Sequence, residues 1–195
     1  MELSPLAQER LARIGALSRE EQQRLARESE LNAILSGYFK GELDADVLWK
    51  RLKELKEQTG EPVVAEAQRK LLETLRLQMG KEDFELRRDA VLALETLKQA
   101  GKYPTLEMGF RSVEGLREQY EAAKNEAYQQ VRATVARQLE SVAEQVKMQG
   151  VSVDTERSVD ANVRNSPQWK EFIGRHDRAS EQVFARHLSE LRAAL

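Results

Sequence analysis

The sequence predicts an all-α protein: a helical bundle of about six or seven helices, with one long helix packed antiparallel to the C-terminal helix. Three observations carry this reading. Leu, Ala, Glu, Arg and Gln dominate the 195 residues, and all are good helix formers. The stretch Ser112 to Gln149 has no proline and one glycine, Gly115. Through it runs an apolar stripe of Leu116, Tyr120, Ala123, Ala127, Val131, Val135, Leu139, Val142 and Val146. Its steps of three or four residues mark one face of a helix. Such a helix would be roughly 55 Å long, so it either protrudes or serves as a spine for other helices. Finally, no segment signals a strand convincingly, and no internal repeat is visible.

Start and stop signals place the elements in order. Ser4-Pro5 is an N-cap followed by proline at the first helical position, where the missing N–H costs nothing. The helix it opens carries Leu6, Leu11, Ile14 and Leu17. Ser18 and Glu21 form a capping box for a second helix, which runs to about Tyr38 with Leu25, Leu31, Ile34 and Leu35. Gly37 and Gly41 bracket a turn. Leu43 and Leu48 then flank an Asp44 N-cap as a hydrophobic staple, and the third helix continues through Leu52 and Leu55 to Gly60.

Pro62 opens a fourth helix with Val64, Ala67, Leu71, Leu75 and Met79, closed by Gly80. A fifth, with Phe84, Val91, Leu94 and Leu97, ends at Gly101, and Pro104 follows. The acids Glu82, Asp83 and Glu85 open it, at the positive end of the helix dipole. The long helix is expected to be capped by Ser112 and to stop at Gly150. Residues 151–165 read as a loop, with Val151 and Val153 in a short extended piece. Ser166-Pro167 starts a last helix presenting Trp169, Phe172, Ile173, Val183, Phe184, Leu188 and Leu191. Two parts are expected: a compact set of short helices over 1–104, and a long helix, loop and C-terminal helix over 105–195.

The stripe's period has a structural meaning. From Tyr120 to Val146 its steps average about 3.7 residues, above the 3.5 of a left-handed coiled coil. A nearly straight or slightly right-handed helical bundle is therefore favoured over a leucine zipper. The stripe residues Leu116, Tyr120, Ala127, Val131, Val135, Leu139, Val142 and Val146 are the candidate interface. They face either a helix of the same chain or a second copy.

Composition narrows the function classes. Apolar residues make up 41% and charged residues 33%, enough for a core plus long solvated helix faces. The chain has no cysteine, which excludes disulfides, thiolate catalysis and cysteine-ligated metal centres. Met1 to Pro5 lacks the basic and apolar regions of a signal peptide, and no apolar run approaches the ~20 residues that span a bilayer. A cytoplasmic protein without membrane contact is expected. Acids and bases number 11 and 10 over residues 1–60, 8 and 8 over 61–104, 7 and 6 over 105–150, and 7 and 7 over 151–195. No segment is basic enough for an electrostatic footprint on nucleic acid, so a nucleic-acid partner is not expected.

Candidate chemistry is sparse. His176 and His187 share a helix face but lie about 16 Å apart, too far to hold one metal ion. The positions three before each hold Ile173 and Phe184 instead of the glutamates of a di-iron bundle. Asp154, Glu156, Ser158 and Asp160 have the spacing of an EF-hand loop's first ligands. Val159 replaces its turn glycine, however, and Asn165 its bidentate glutamate. Neither a P-loop nor a G-x-G-x-x-G is present, and Ser112 lacks the flanking pattern of a nucleophile elbow. No metal and no cofactor is expected. The pocket candidates are His176, His187, Glu118, Tyr128 and Trp169, with Tyr120 and Tyr128 eight apart on one helix face and Phe172 nearby.

Three partial resemblances bear on function. His176-Asp177 has the dipeptide of HD-type phosphohydrolases, yet the further histidine that family needs upstream is missing. Glu118-x-x-Glu121 resembles half the magnesium motif of helical pyrophosphohydrolases, and no E-x-x-D follows. Residues 34–57, a helix, glycine, acidic turn and helix, resemble loosely the helical pairs of SHOCT-type oligomerisation modules. The first reading is accordingly a non-enzymatic protein–protein interaction or self-assembly module whose partner is itself, as a homodimer, or another helical protein. The second is a helical small-ligand or metal-dependent enzyme with a pocket between helices. The third is a nucleic-acid or ribosome-associated factor with a basic face built from Lys50, Arg51, Lys53 and Lys56, or from Arg87 and Arg88.

Overall fold

The computed structural model describes the backbone of residues 19–147 and 155–195, and the side-chain surroundings of 21–141 and 159–195. Among these residues the protein is all-helical and has no strand. The helices are α1 (Arg19–Phe39), α2 (Ala45–Thr59), α3 (Pro62–Glu73), α4 (Lys81–Glu95), α5 (Tyr103–Lys147), α6 (Thr155–Asn165) and α7 (Pro167–Ala194). The expected helix over Leu6 to Leu17, the Ser18 cap and the Val151–Val153 piece lie outside the described residues, as do the side chains of Val142 and Val146.

The chain divides into two units. One contains α1 to α4 and the turn leading to Tyr103; the other contains Arg76–Gly80 and Pro104–Ala194. In the first unit α2, α3 and α4 pack on one another, and α1 lies across α2 and α3. The core is what the apolar spacing dictates. Leu31, Ile34, Leu35 and Tyr38 of α1, Leu48, Leu52 and Leu55 of α2, Val64, Ala67 and Leu71 of α3, and Phe84, Val91 and Leu94 of α4 are all buried.

Local chemistry sets the helix ends. Asp44 Oδ1 accepts from the Val47 N–H at 2.8 Å, capping α2, and Gly60 closes it with φ 91° and its N–H on the Lys56 carbonyl at 2.7 Å. Gly41, at φ 73°, takes the left-handed conformation after α1 that other residues rarely adopt. Gly37 is needed for a different reason: a Cβ there would sit 3.1 Å from the Leu43 side chain.

A buried polar node ties α3, α4 and the turn after it together. The Glu95 carboxylate accepts from Gln68 Nε2 at 2.7 Å, from Lys98 Nζ at 2.8 Å and from the Lys102 backbone N–H at 2.7 Å. Gln68 Nε2 also donates to the Val91 carbonyl at 2.9 Å. Burial raises the proton affinity of Glu95, but the hydrogen bonds and the Lys98 charge outweigh it and hold the carboxyl below the usual range. At Gly101 a Cβ would approach the Glu95 carbonyl oxygen to 3.0 Å, so the same turn requires a glycine.

The second unit is a helical hairpin. The long helix α5 packs against α7, as expected from the stripe. Its contacts run in opposite directions along the two helices: Gly109 against Leu191, Tyr120 against Asp177, and Tyr128 against Trp169. The helices are therefore antiparallel. At Gly109 a Cβ would come within 2.6 Å of Leu191 Cδ2, so this glycine allows close approach of α7. Arg117 fastens the Arg76–Gly80 segment to α5 by donating to the carbonyls of Leu77 at 3.1 Å and Met79.

Three expectations need correction. The long helix begins at Tyr103, nine residues before Ser112, with Pro104 in its first turn, where proline is tolerated. Ser112 is thus no cap; its hydroxyl donates back to the Met108 carbonyl at 3.1 Å inside the helix. The fourth expected helix, α3, stops at Glu73 rather than Gly80. There the Thr74 hydroxyl takes the Leu71 carbonyl, and the Thr74 and Leu75 N–H groups bond three residues back. Leu75 and Leu77 are both buried, a spacing of two that a helix would not give. Lastly, residues 155–165 are helical instead of a loop. Val159 and Val163 pack with Val131 and Val135 in a small core, supported by Tyr128, Ala136, Leu139 and Trp169.

Candidate functional site

The hairpin brings most of the candidate residues together. Along its seam Tyr128, Trp169, Phe172, His176 and Tyr120 form an unbroken run of ring contacts. Tyr128 meets Trp169 edge-on at 5.3 Å, Trp169 stacks on Phe172 at 5.8 Å, and Phe172 stacks on His176 at 5.1 Å. His176 lies parallel to Tyr120 at 4.8 Å, with 2° between the planes. The run follows from helix geometry. Trp169, Phe172 and His176 lie three and four residues apart on α7, and Tyr120 and Tyr128 lie eight apart on α5.

Polar contacts pin the rings. The Tyr120 hydroxyl donates to Asp177 Oδ1 and the Tyr128 hydroxyl to Asp160 Oδ1, both at 2.8 Å. His176 Nε2 lies 3.0 Å from the Tyr120 carbonyl oxygen, which makes it the protonated ring nitrogen. Arg132 Nε is 3.3 Å from Asp160 Oδ1. Burial and then the aspartate hydrogen bond raise the pKa of both tyrosines above the ordinary phenol value. For Asp160 the Tyr128 hydrogen bond and the Arg132 contact hold the carboxyl below its usual range. These phenols stay protonated at neutral pH and act as donors; the carboxylates they bind are already engaged.

Burial separates the stripe into two sets. Tyr120, Val131 and Val135 are 1%, 4% and 9% exposed, consumed by the packing of α5 on α6 and α7. Leu116, Ala123, Ala127 and Leu139 are half-buried, as are Tyr128, Trp169, Phe172, Ile173, His176 and Val183. The second set flanks the seam.

The remaining candidates do not converge. His187 Nδ1 lies 3.2 Å from Glu190 Oε2, three turns from His176, and Glu118 is exposed on α5. Asp160, a residue of the EF-hand-like spacing, sits on α6 and binds Tyr128. Among the described residues no group of three or more His, Asp or Glu side chains is placed to hold a metal ion. The basic residues mostly have partners. Lys56 donates to the Leu97 carbonyl, Lys53 lies 5.4 Å over Trp49, Arg87 binds Asp83 at 3.0 Å and Thr74 at 3.0 Å, and Arg88 binds Asp89 at 2.9 Å. A cleft of about 360 Å³ lies beside the small valine core, lined by Val135, Gln138, Leu139, Asn162, Asn165, Ser166 and Pro167, none of them charged.

The fold and this seam define an all-helical protein, one unit of which is an aromatic-lined helical hairpin. No described helix is long and apolar enough to cross a membrane. The chain belongs to a family of unknown function, DUF6657, whose model matches residues 49–195. Comparison with curated proteins and with solved structures returns no match.

Proposed function

We propose that this protein is a cytoplasmic, non-enzymatic interaction module that assembles with a second copy of itself through the flank of its hairpin. The observation that carries this reading is the aromatic run, of which Tyr128, Trp169, Phe172 and His176 are half-buried at the edge of a two-helix layer. Large rings fixed by stacking and hydrogen bonds lose little entropy on contact, and Trp and Tyr are the residues that dominate protein interfaces. Two hairpins joined about a two-fold axis would make a four-helix layer, which covers the half-buried set on both copies. A net charge of −2 puts little repulsion between copies. Another helical protein is the alternative occupant of the same flank. The two parts, 1–104 and 105–195, then divide the labour between a compact bundle and an assembling arm.

The test uses Trp169 as its reporter. In a Trp49→Phe background, Trp169 is the remaining indole. Its emission is expected to shift to longer wavelength as the protein is diluted through its dissociation constant. Phe172→Asp should produce the shifted spectrum at every concentration. Emission independent of dilution in the parent, at nanomolar to micromolar protein, would refute assembly through this flank.

A further inference from the structure

A groove of about 570 Å³ lies in the first unit, between the start of α1 and the end of α2. It is lined by Gln23, Arg24, Arg27 and Glu30 of α1 and by Gln58 and Thr59 of α2. On α1, Arg24 and Arg27 occupy the stripe that one and two turns later holds Leu31, Leu35 and Tyr38, all buried. Arg27 is half-buried and Arg24 exposed, so along this line the helix passes from apolar core to a cationic surface where the groove begins.

Neither Arg24 nor Arg27 forms an ion pair among the described residues, whereas Glu28 on the same helix pairs with Lys70 at 3.7 Å. Arg27 Nε is enclosed and makes no hydrogen bond. An enclosed guanidinium N–H without an acceptor is costly, and an oxyanion in the groove removes that cost. Glu30 is exposed and supplies the groove's one carboxylate, so cationic groups outnumber it.

We infer that this groove binds a small organic phosphate. Two planar guanidinium forks one helical turn apart present several N–H donors, which suits the multiple oxygens of a phosphate better than a lone carboxylate. The groove's volume falls in the range of small-molecule sites, about 300–1,000 Å³, leaving room beyond the phosphate for an organic moiety. Around that room stand neutral hydrogen-bonding groups: the Gln23 and Gln58 amides, and the Thr59 hydroxyl. The Thr59 hydroxyl already donates to the Leu55 carbonyl at 2.7 Å and so keeps only acceptor capacity. Glu30 accepts as well. The organic part is therefore one bearing hydroxyl or amide groups. Both arginines precede the segment matched by the family model, so the site is a feature of this chain's own α1.

The experiment titrates the full-length protein with inorganic phosphate while following the arginine side-chain Nε–H resonances by NMR. Parallel titrations use acetate and chloride at matched ionic strength. A saturable shift at Arg27 Nε–H is expected with phosphate in the millimolar range, with no saturable response to acetate or chloride. Followed instead at the backbone amides of Gln58 and Thr59, which line the groove and remain in every variant, the saturable response should be lost in Arg24→Gln/Arg27→Gln without a lower melting temperature, since no ion pair is lost. Arg24→Lys/Arg27→Lys keeps the charge but removes the forks, and it should weaken binding tenfold or more. Equal saturation by acetate would overturn the phosphate assignment. A linear response matched by chloride means an adventitious ion only and overturns the site. Undiminished binding in the lysine variant, or unfolding of the glutamine variant, would overturn the role given to the two guanidinium groups.

Discussion

Tyr120 shows how much one residue carries in the hairpin. Its ring fills the seam, its hydroxyl binds Asp177, and its backbone carbonyl receives His176. Tyr120→Phe keeps the ring and loses the hydroxyl bond to a carboxylate, so it should lower unfolding stability by about 1.5–3 kcal/mol. A double-mutant cycle with Asp177→Ala in urea denaturation isolates that bond, and independent, additive effects would refute the coupling. Glu95 gives a pH signature. Its folded pKa is depressed, so its contribution is present above the unfolded carboxylate pKa and disappears as pH falls through the folded value. Glu95→Gln should flatten that acid limb of the stability curve; an unchanged acid limb would contradict the node. Tyr120 was legible as a residue of the stripe, but its bond to Asp177 and the node around Glu95 were not. Gln68 and Glu95 are 27 residues apart, and nothing in local spacing announces that folding pairs them.

Elements report a different balance. The glycines of the hairpin form an internal control: a Cβ at Gly115 or Gly174 meets nothing within 4 Å, while at Gly109 it meets Leu191, which is 1% exposed. Gly115→Ala and Gly174→Ala should each stabilise the protein by about 0.5–1 kcal/mol, and Gly109→Ala should not. Thermal unfolding of the three variants decides it, and equal gains at all three positions would contradict the close approach of α7. Helices with dense apolar stripes and standard caps, such as α2 with Asp44 and Gly60, could be read directly from the chain. The helix α6 could not. It has two valines at i and i+4 among polar neighbours, too little for a periodic signal. Its stability comes from packing on Val131 and Val135 rather than from propensity. Val163→Asp, placing a charge at a fully buried position, is expected to cost several kcal/mol and to detach α6. Hydrogen exchange should then show lost protection over 155–165, and retained protection there would refute the packing account. The end of α3 was misread for the opposite reason. Leu71, Leu75 and Met79 imitate a helical period that the Thr74 hydroxyl interrupts.

For the whole molecule, the all-helical class followed from composition, stripe and punctuation, because those signals are local and repeated. Function did not follow, because the half-buried residues of an interface and the buried residues of a core share one helical spacing. The stripe contains both: Val131 and Val135 belong to the core, while Leu116 and Ala127 border the flank proposed for assembly. The most direct measurement is sedimentation equilibrium of the full chain and of Phe172→Asp over a range of concentrations. The account predicts a mass approaching twice the 22.3 kDa of the chain, falling to the monomer value in Phe172→Asp while the helical circular-dichroism signal is retained. A monomer at every concentration, or a dimer untouched by Phe172→Asp, would contradict it.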